Sequence, residues 1–359
     1  MIPYFLLVIL PVLLWALSKK YRLTNGNRVL YETDTASMDI FCLILLLLLA
    51  LRGTQCGMDT ERYLRAFERY GAQSFRQLIT GSGSEIGYKL LNKLVWMASE
   101  NFQILLTVTA ILSIYPLWYF FKKESENQLL TILLFLSVSQ YMIYFSGIRQ
   151  AIAMSMGVPA WYFARNRKRL CFIAIVLLAM QIHSSAFMLF LIYPLYHAKI
   201  TKKWLWFVIP CMVAVFVFRT PIFNVLITLL WEEYDITDAT GAVSILILLI
   251  LFGIYSYLLP EERALEQDVL ALRNILLLSI VIQIFAMLHP LSMRMNYYFL
   301  IFVPILIPKI ANRSKKQYAQ IARLSVVIMT VYFIYYYFSA VITDKDSLNL
   351  YPYVPFWKN

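Results

Sequence analysis

The sequence predicts an all-α polytopic membrane protein with about twelve transmembrane helices, and three observations support this fold class. Hydrophobic residues make up 61% of the chain and charged residues only 14%, well below the roughly 25% charged residues of a soluble domain. The apolar residues collect in long runs, and about 20 such residues are enough to cross a bilayer as a helix. Basic residues cluster in the connections between the runs. We therefore expect a single integral membrane domain over residues 1–359.

The predicted spans follow the apolar runs in chain order. The first run, within 1–18, has neither a basic start nor a small-residue cleavage site, which predicts a retained span rather than a signal peptide. Segments 170–182 and 186–197 are short and are separated by the polar step 183–185, so together they predict one broken helical hairpin. The full set of predicted spans is 2–18, 37–51, 102–121, 128–146, 150–164, 170–182, 186–197, 203–219, 242–260, 274–290, 295–311 and 324–343.

The distribution of basic residues predicts the orientation of these spans. If both termini lie outside, the inner loops hold 20 of the 32 basic residues, Arg263 and Arg273 among them, and the outer loops hold 12. The positive-inside rule favours this arrangement. The net charge of +12 then reflects orientation in the membrane, and we do not expect nucleic-acid binding.

Two long segments are predicted to lie on the outer face. Residues 52–101 contain a polar stretch and then Glu85 to Ser99, whose apolar residues follow a helical period and predict an amphipathic helix at the interface. Residues 220–241 form a second outer loop, apolar at first and then acidic. Because long loops often carry function, we expect the chemistry of this protein on its outer face.

Arginine dominates the basic residues assigned to the outer face, with eight of the 12 positions. A guanidinium can bind phosphate through two parallel hydrogen bonds, whereas a topology signal needs only charge. Most of these arginines are explained equally well by contacts with lipid headgroups. Arg52, Arg149 and Arg294 differ because each lies at the outer end of a predicted span with little loop around it. They are candidate ligands for an anionic group.

Three further residues are candidates for chemistry. His183, at the apex of the broken hairpin, suits either an interhelical hydrogen bond or a general base. Asp59 can pair with an arginine, accept a hydrogen bond from a sugar hydroxyl or act as the base, and Tyr63 can stack on a sugar ring. Since a metal would need three converging ligands, no metal and no cofactor is expected.

Five short motifs follow one another between residues 52 and 298. They are R-G-T-Q-C-G-M-D-T-E-R-Y from Arg52 to Tyr63, E-I-G-Y-K-L-L-N from Glu85 to Asn92, I-R-Q from Ile148 to Gln150, H-S-S-A from His183 to Ala186, and R-M-N-Y-Y from Arg294 to Tyr298. In this order and with this outward placement, the motifs resemble those of the EpsG family of Wzy-like bacterial polysaccharide polymerases. The terminal Tyr351-Pro352-Tyr353 is similar to the end of that family.

The resemblance implies a membrane glycosyltransferase for exopolysaccharide, capsule or O-antigen synthesis. Such an enzyme joins oligosaccharide repeat units carried by undecaprenyl diphosphate at the outer face of the bacterial cytoplasmic (inner) membrane. The implied partners are this lipid-linked oligosaccharide, the lipid bilayer, a flippase and a chain-length regulator. The implied catalytic residues are His183, Arg149, Arg294 and Asp59, and the implied substrate-binding residues are Arg52, Tyr63, Glu85, Gln150 and Tyr298.

Two other classes of function are compatible with the sequence. A lipid-linked glycan flippase or another transporter also needs many spans, but it would place charge along a central path and often shows internal repeats. Here the polar residues concentrate at the outer ends of the spans. Another outer-leaflet transferase, such as a glycan ligase or an acyltransferase, would share the outward arginines and the histidine.

Overall fold

Apolar helices account for nearly all the secondary structure of the computed structural model. The structure describes residues 2–17, 22–25, 28–31, 35–138, 140–230, 242–262, 265–314 and 348–358, together with single positions between 320 and 335. The predicted span 324–343 falls largely outside the described residues. So do Arg263 and the acidic half of the predicted loop 220–241.

The chain starts with two apolar helices joined by a strand pair. These elements are α1 (Ile2–Leu17), β1 (Arg22–Asn25), β2 (Arg28–Tyr31) and α2 (Thr35–Ala50). The strands are antiparallel, with Arg22 opposite Tyr31 and Asn25 opposite Arg28. The other described elements are helices, as the sequence predicts.

The predicted outer segment 52–101 folds into three helices. They are α3 (Thr60–Ala72), α4 (Phe75–Thr80) and α5 (Ile86–Ala98). Helix α5 matches the predicted amphipathic helix, since Glu85 and Ser99 are its capping residues. Helix α4 begins with a capping box, in which Ser74 and Gln77 satisfy each other's backbone N–H groups.

The next part of the chain contains the longest of the described helices and four short ones. They are α6 (Phe102–Glu124), α7 (Gln128–Ser137), α8 (Gln140–Ser146), α9 (Ile148–Ser155) and α10 (Gly157–Arg165). Helices α7 and α8 are bent by 62° relative to each other, so the predicted span 128–146 is broken. With a rise of about 1.5 Å per residue, the 23 residues of α6 place its two ends roughly 33 Å apart.

The predicted broken hairpin is confirmed. Helix α11 (Arg169–Met180) ends just before His183, a 3₁₀ helix (Ser184–Leu191) packs back against it, and α12 (Ile192–His197) continues the return. A short 3₁₀ turn (Lys202–Trp204) then leads into α13 (Leu205–Val217), followed by α14 (Arg219–Leu230).

Over residues 242–314 and 348–358, the helices are α15 (Ala242–Leu258), α16 (Gln267–Ala286), α17 (Pro290–Leu300) and α18 (Val303–Asn312), with a 3₁₀ turn at Phe356–Lys358. Helix α16 starts seven residues before the predicted span at 274, so the placement of Arg273 in an inner loop is wrong. Arg273 is fully buried within the helix. Its charge is matched by Glu262 at 2.8 Å, and its guanidinium lies 3.9 Å from the centre of the Tyr257 ring.

The predicted number of twelve spans is not confirmed. Among the described residues, only α6 and α16 are long and apolar enough to cross a membrane alone. Counting each bent pair as one span raises the number to five; the pairs are α7 with α8, Ser184–His197 with Lys202–Val217, and α17 with α18. The other apolar helices of 10 to 17 residues are Pro3–Ala16, Ala36–Ala50, Arg169–Met180 and Ala242–Leu258.

Candidate functional site

A small apolar cluster fixes the outer segment to one end of the helical bundle. Phe67 of α3 lies 5.9 Å, ring centre to ring centre, from Phe102 at the start of α6 and 5.1 Å from Trp96 of α5. Ile148 at the start of α9 is buried in the same cluster, and Ile182 of the hairpin packs against it. The three motif segments 52–63, 85–92 and 148–150 are therefore held beside the hairpin apex.

Gly87 allows the start of α5 to lie directly against the hairpin break. The backbone N–H of Tyr88 donates to the carbonyl oxygen of Gln181 at 3.1 Å. A Cβ atom at position 87 would come within 2.8 Å of both the Cβ and the carbonyl oxygen of Gln181. This close approach brings Glu85, two residues earlier, to His183 and Ser184.

The carboxylate of Glu85 is the centre of the candidate site. One oxygen accepts a short hydrogen bond from the guanidinium of Arg149. The other accepts the backbone N–H of Ser184 at 2.8 Å and lies 3.5 Å from Nδ1 of His183, at the outer limit of a hydrogen bond. The side chains of Glu85, Arg149 and His183 are 20%, 27% and 22% exposed, so a substrate can reach all three.

These contacts set the charge state of Glu85. Burial alone would raise the pKa of Glu85, but hydrogen bonding with His183 and Ser184 and the charge of Arg149 lower it to about 2. Glu85 is therefore ionised at neutral pH and is an acceptor rather than an acid. Nδ1 is the ring nitrogen of His183 that lies beside this carboxylate.

Two tyrosines surround Arg149. The guanidinium lies close enough to Tyr63 to interact electrostatically and lies 5.7 Å from the centre of the Tyr88 ring. The two rings meet edge to face, with 6.0 Å between their centres. Burial raises the pKa of Tyr63, so its hydroxyl stays protonated. Arg149 is thus held by a carboxylate beside two tyrosines.

The motif at 294–298 is attached to the same site. The buried Tyr298 shares a hydrogen bond of 2.9 Å with Ser185, and the side-chain amide of Gln150 donates to the backbone carbonyl of Arg294. The side chain of Arg294 is exposed and close enough to His289 to interact electrostatically. Among the described residues, no carboxylate lies within ion-pair distance of Arg294.

Arg52 and Asp59 are not in contact with Glu85. Arg52 is only 2% exposed and lies against the ring of Phe145, at 5.4 Å, and against the terminal segment at Pro355. Asp59 forms an exposed ion pair with Arg62 at 3.3 Å. A role in substrate binding for Arg52 and in catalysis for Asp59 stays a prediction.

The terminal segment 348–358 covers the first motif. Gly57 has a positive φ of 100°, and its N–H donates to the carbonyl of Asn349 at 2.7 Å. Gly53 donates to the carbonyl of Val354, also at 2.7 Å. The hydroxyl of Ser146 accepts from the Met58 N–H at 3.1 Å. The turn 53–58 is therefore held between the terminal segment and the helix break that precedes Arg149.

Sequence reasoning missed Tyr88, Ser184 and Ser185 as members of the site. All three lie inside motifs that also contain predicted site residues, E-I-G-Y and H-S-S-A. Their position beside Glu85 and His183 in these motifs could have indicated that they belong to the site. Within the described residues, no group of three or more histidine, cysteine, aspartate or glutamate side chains is arranged to hold a metal ion.

Comparison with known proteins identifies the family. The model of the EpsG family matches residues 36–354, which is most of the chain and includes all five motifs. No curated protein and no solved structure matches the chain. The apolar helices and the family match together indicate a membrane protein. The chain therefore belongs to the EpsG family, a family of Wzy-like polysaccharide polymerases.

Proposed function

We propose that this protein is a polysaccharide polymerase of the outer face of the cytoplasmic membrane. It transfers the growing glycan from undecaprenyl diphosphate to a sugar hydroxyl of the next lipid-linked repeat unit. The observation that carries the proposal is the contact of Glu85 with both Arg149 and the His183-Ser184 step, because it joins residues from three separate motifs at one accessible place.

The reaction needs a base and a stabilised leaving group. A bond forms between the acceptor oxygen and the anomeric carbon, the bond from that carbon to the diphosphate oxygen breaks, and the acceptor hydroxyl loses its proton. In the proposed mechanism Nε2 of His183 takes this proton. Arg149 and Arg294 stabilise the negative charge that develops on the departing diphosphate.

Glu85 is a positioning residue in this mechanism. Its ionised carboxylate orients the imidazole of His183 and favours the protonated ring that forms when the base accepts a proton. It also holds one arm of Arg149, while Tyr63 lies close to the guanidinium. The ring of Tyr63, which is partly exposed, provides an aromatic surface on which a sugar can pack.

Glycan length tests the polymerase function. Gel analysis of a deletion strain should show single repeat units instead of polymer. The wild-type chain, supplied from a plasmid, should restore long polymer. Repeat units trapped on the cytoplasmic side would indicate a flippase instead. Long polymer that stays on its lipid carrier would indicate a ligase.

The outer placement of the site can be tested by labelling single cysteines in a background without the four native ones. Ser74 precedes α4 near the site, Asn166 follows α10, and both are exposed. An impermeant thiol reagent should label Ser74→Cys in intact cells and Asn166→Cys only after permeabilisation. The reverse pattern would contradict a site on the outer face.

A further inference from the structure

An apolar cleft lies between α13 and the helices α15 and α16. Its volume is about 590 Å³. Its wall includes Ile209, Val213 and Phe216 from α13, Ile250 and Gly253 from α15, and Ile280 from α16. Apart from Tyr257, the lining side chains carry no polar group. Such a cleft suits a hydrocarbon chain and not a sugar or an ion.

Helix α13 contacts the bundle through Met212 and Val215 and leaves the cleft open along its side. None of its residues is buried, and Val213 and Phe216 are 56% and 40% exposed. The cleft extends along α15 from Leu246 to Leu258, which is roughly 18 Å at 1.5 Å per residue. It is long enough to hold part of an extended lipid tail.

One end of the cleft is connected to α17, the helix that carries Arg294. Ile284 lines the cleft, and the amide of its neighbour Gln283 donates to the carbonyl of Ala242 at 3.0 Å. The side-chain oxygen of Gln283 accepts from Asn296 at 2.8 Å, so this end of the cleft is tied to the helix that carries Arg294. Phe223 stacks on the ring of His289 near the same end, with 6.1 Å between the ring centres.

The opposite end of the cleft is bounded by buried charge. Tyr257 lines the cleft there, beneath the guanidinium of Arg273. Arg273 is paired with Glu262 and also donates to the carbonyl of Ile200 at 3.0 Å. This charge is already matched within the protein. At the other end, Arg294 is exposed and has no carboxylate partner among the described residues. An amphiphile with an anionic head would therefore bind with its head at the Arg294 end.

We propose that the cleft between α13, α15 and α16 binds the isoprenoid tail of a polyprenyl diphosphate, with Arg294 at its head. The inference rests on the proposed function and adds to it the place where the lipid carrier is held. The apolar lining accounts for the tail, and a guanidinium that can form two parallel hydrogen bonds accounts for the diphosphate.

Photo-cross-linking tests the tail site without requiring catalysis. The photoreactive residue p-benzoylphenylalanine replaces Val213 or Ile250 in the cleft, and Ile111, which is 46% exposed on α6, serves as the matched control. The full-length protein is reconstituted in phospholipid vesicles containing undecaprenyl diphosphate. Mass spectrometry should find adducts with this lipid at positions 213 and 250 and not at 111. Adducts with phospholipid alone, with another segment of the chain or with a second copy would overturn the proposal.

Filling the cleft provides a second test. A Cβ at Gly253 would meet only the flexible end of Ile280, at 3.3 Å, so Gly253→Leu fills space without a backbone clash. We expect at least a tenfold higher KM for the lipid-linked substrate and an unchanged KM for Ile111→Trp. An unchanged KM for Gly253→Leu at normal abundance would overturn the inference; if its abundance falls, the cross-linking result decides.

Normal polymer in the deletion strain would refute the proposed function, whereas absent adducts beside normal polymerisation would refute only the tail site.

Discussion

The two ends of helix α6 differ in how their cationic side chains are paired with carboxylates. At the Glu124 end, each cation of a dense network has a carboxylate partner. Glu124 accepts from Arg165 at 3.0 Å and from Tyr162 at 3.1 Å, and Lys309 lies 3.5 Å away. Arg165 also contacts Asp268 at 2.9 Å. The nearby Glu126 pairs with Arg313 at 2.7 Å. These contacts tie together the ends of α6, α10, α16 and α18.

At the Glu85 end, a single carboxylate faces Arg149 and His183, and Arg294 has no carboxylate partner among the described residues. At the Glu85 end, cationic side chains are available to bind an anionic substrate. At the Glu124 end, each cation of the network is already paired with a carboxylate. The comparison suggests that buried ion pairs at the Glu124 end hold helices together and that the open arrangement at the Glu85 end binds substrate.

The largest expected effect is on activity at the Glu85 end. Arg149→Lys keeps the charge but loses the planar fork, so polymer formation should fall by about 100-fold, the range observed when a positioned transition-state donor is lost. Membrane abundance should stay normal. The matched control is Arg62→Lys, at a 78% exposed position that also pairs with a carboxylate. If Arg149→Lys made as much polymer as the control, bidentate binding by Arg149 would be contradicted. If its membrane abundance fell together with its activity, Arg149 would instead have a role in helix packing.

At the Glu124 end we expect an effect on stability instead. Glu124→Gln leaves Arg165 and Lys309 without one of their counter-charges at a site where Glu124 is only 9% exposed. The cost should stay below the roughly 3–5 kcal/mol of a charge left buried without a partner, because Arg165 keeps Asp268 and Lys309 keeps Glu126. The melting temperature in detergent should drop, while activity per folded molecule is kept. Glu61→Gln, at an exposed position, is the control. A Glu124→Gln protein that melts like wild type but makes no polymer would reverse the assignment of the two ends.

The smallest expected effect concerns pH. The folded-state pKa of Glu85, about 2, lies below its ordinary value of 4.5, so its ionised form stabilises the fold above pH 4.5 and loses this effect as the pH falls toward 2. The difference in melting temperature between wild type and Glu85→Gln should be constant from about pH 8 to about pH 5 and should shrink below that. A difference that stays constant down to about pH 3 would show that the contact with Arg149 and Ser184 is not formed.

The sequence predicted the parts of the fold that depend on local pattern. The amphipathic helix after Glu85 and the broken hairpin at His183 are both confirmed, because periodicity and a polar break in an apolar run are visible in the residues themselves. The count of twelve spans is not confirmed, and hydropathy does not show where a run bends, as between α7 and α8. The burial of Arg273 was missed because its partner Glu262 lies in a loop that looked solvent-exposed.

The candidate site was predicted in its members but not in its arrangement. The motifs pointed to Arg149, His183 and Glu85, yet nothing in the spacing indicated that Glu85 would contact the other two. That contact depends on the absence of a side chain at Gly87, a packing feature that becomes visible only when α5 and the hairpin are brought together. The terminal segment over Gly57 likewise joins residues almost 300 positions apart.

The most direct test of the account compares His183→Ala with His183→Gln in a deletion strain, with glycan length measured on gels at equal membrane abundance. If His183 is the base that Glu85 orients, both variants should lose chain extension, because glutamine can form hydrogen bonds but cannot take up a proton near neutral pH. The expected loss is at least about 100-fold for each variant. A His183→Gln protein that makes full-length polymer at the wild-type rate would contradict the account and leave His183 as a group that only positions its neighbours.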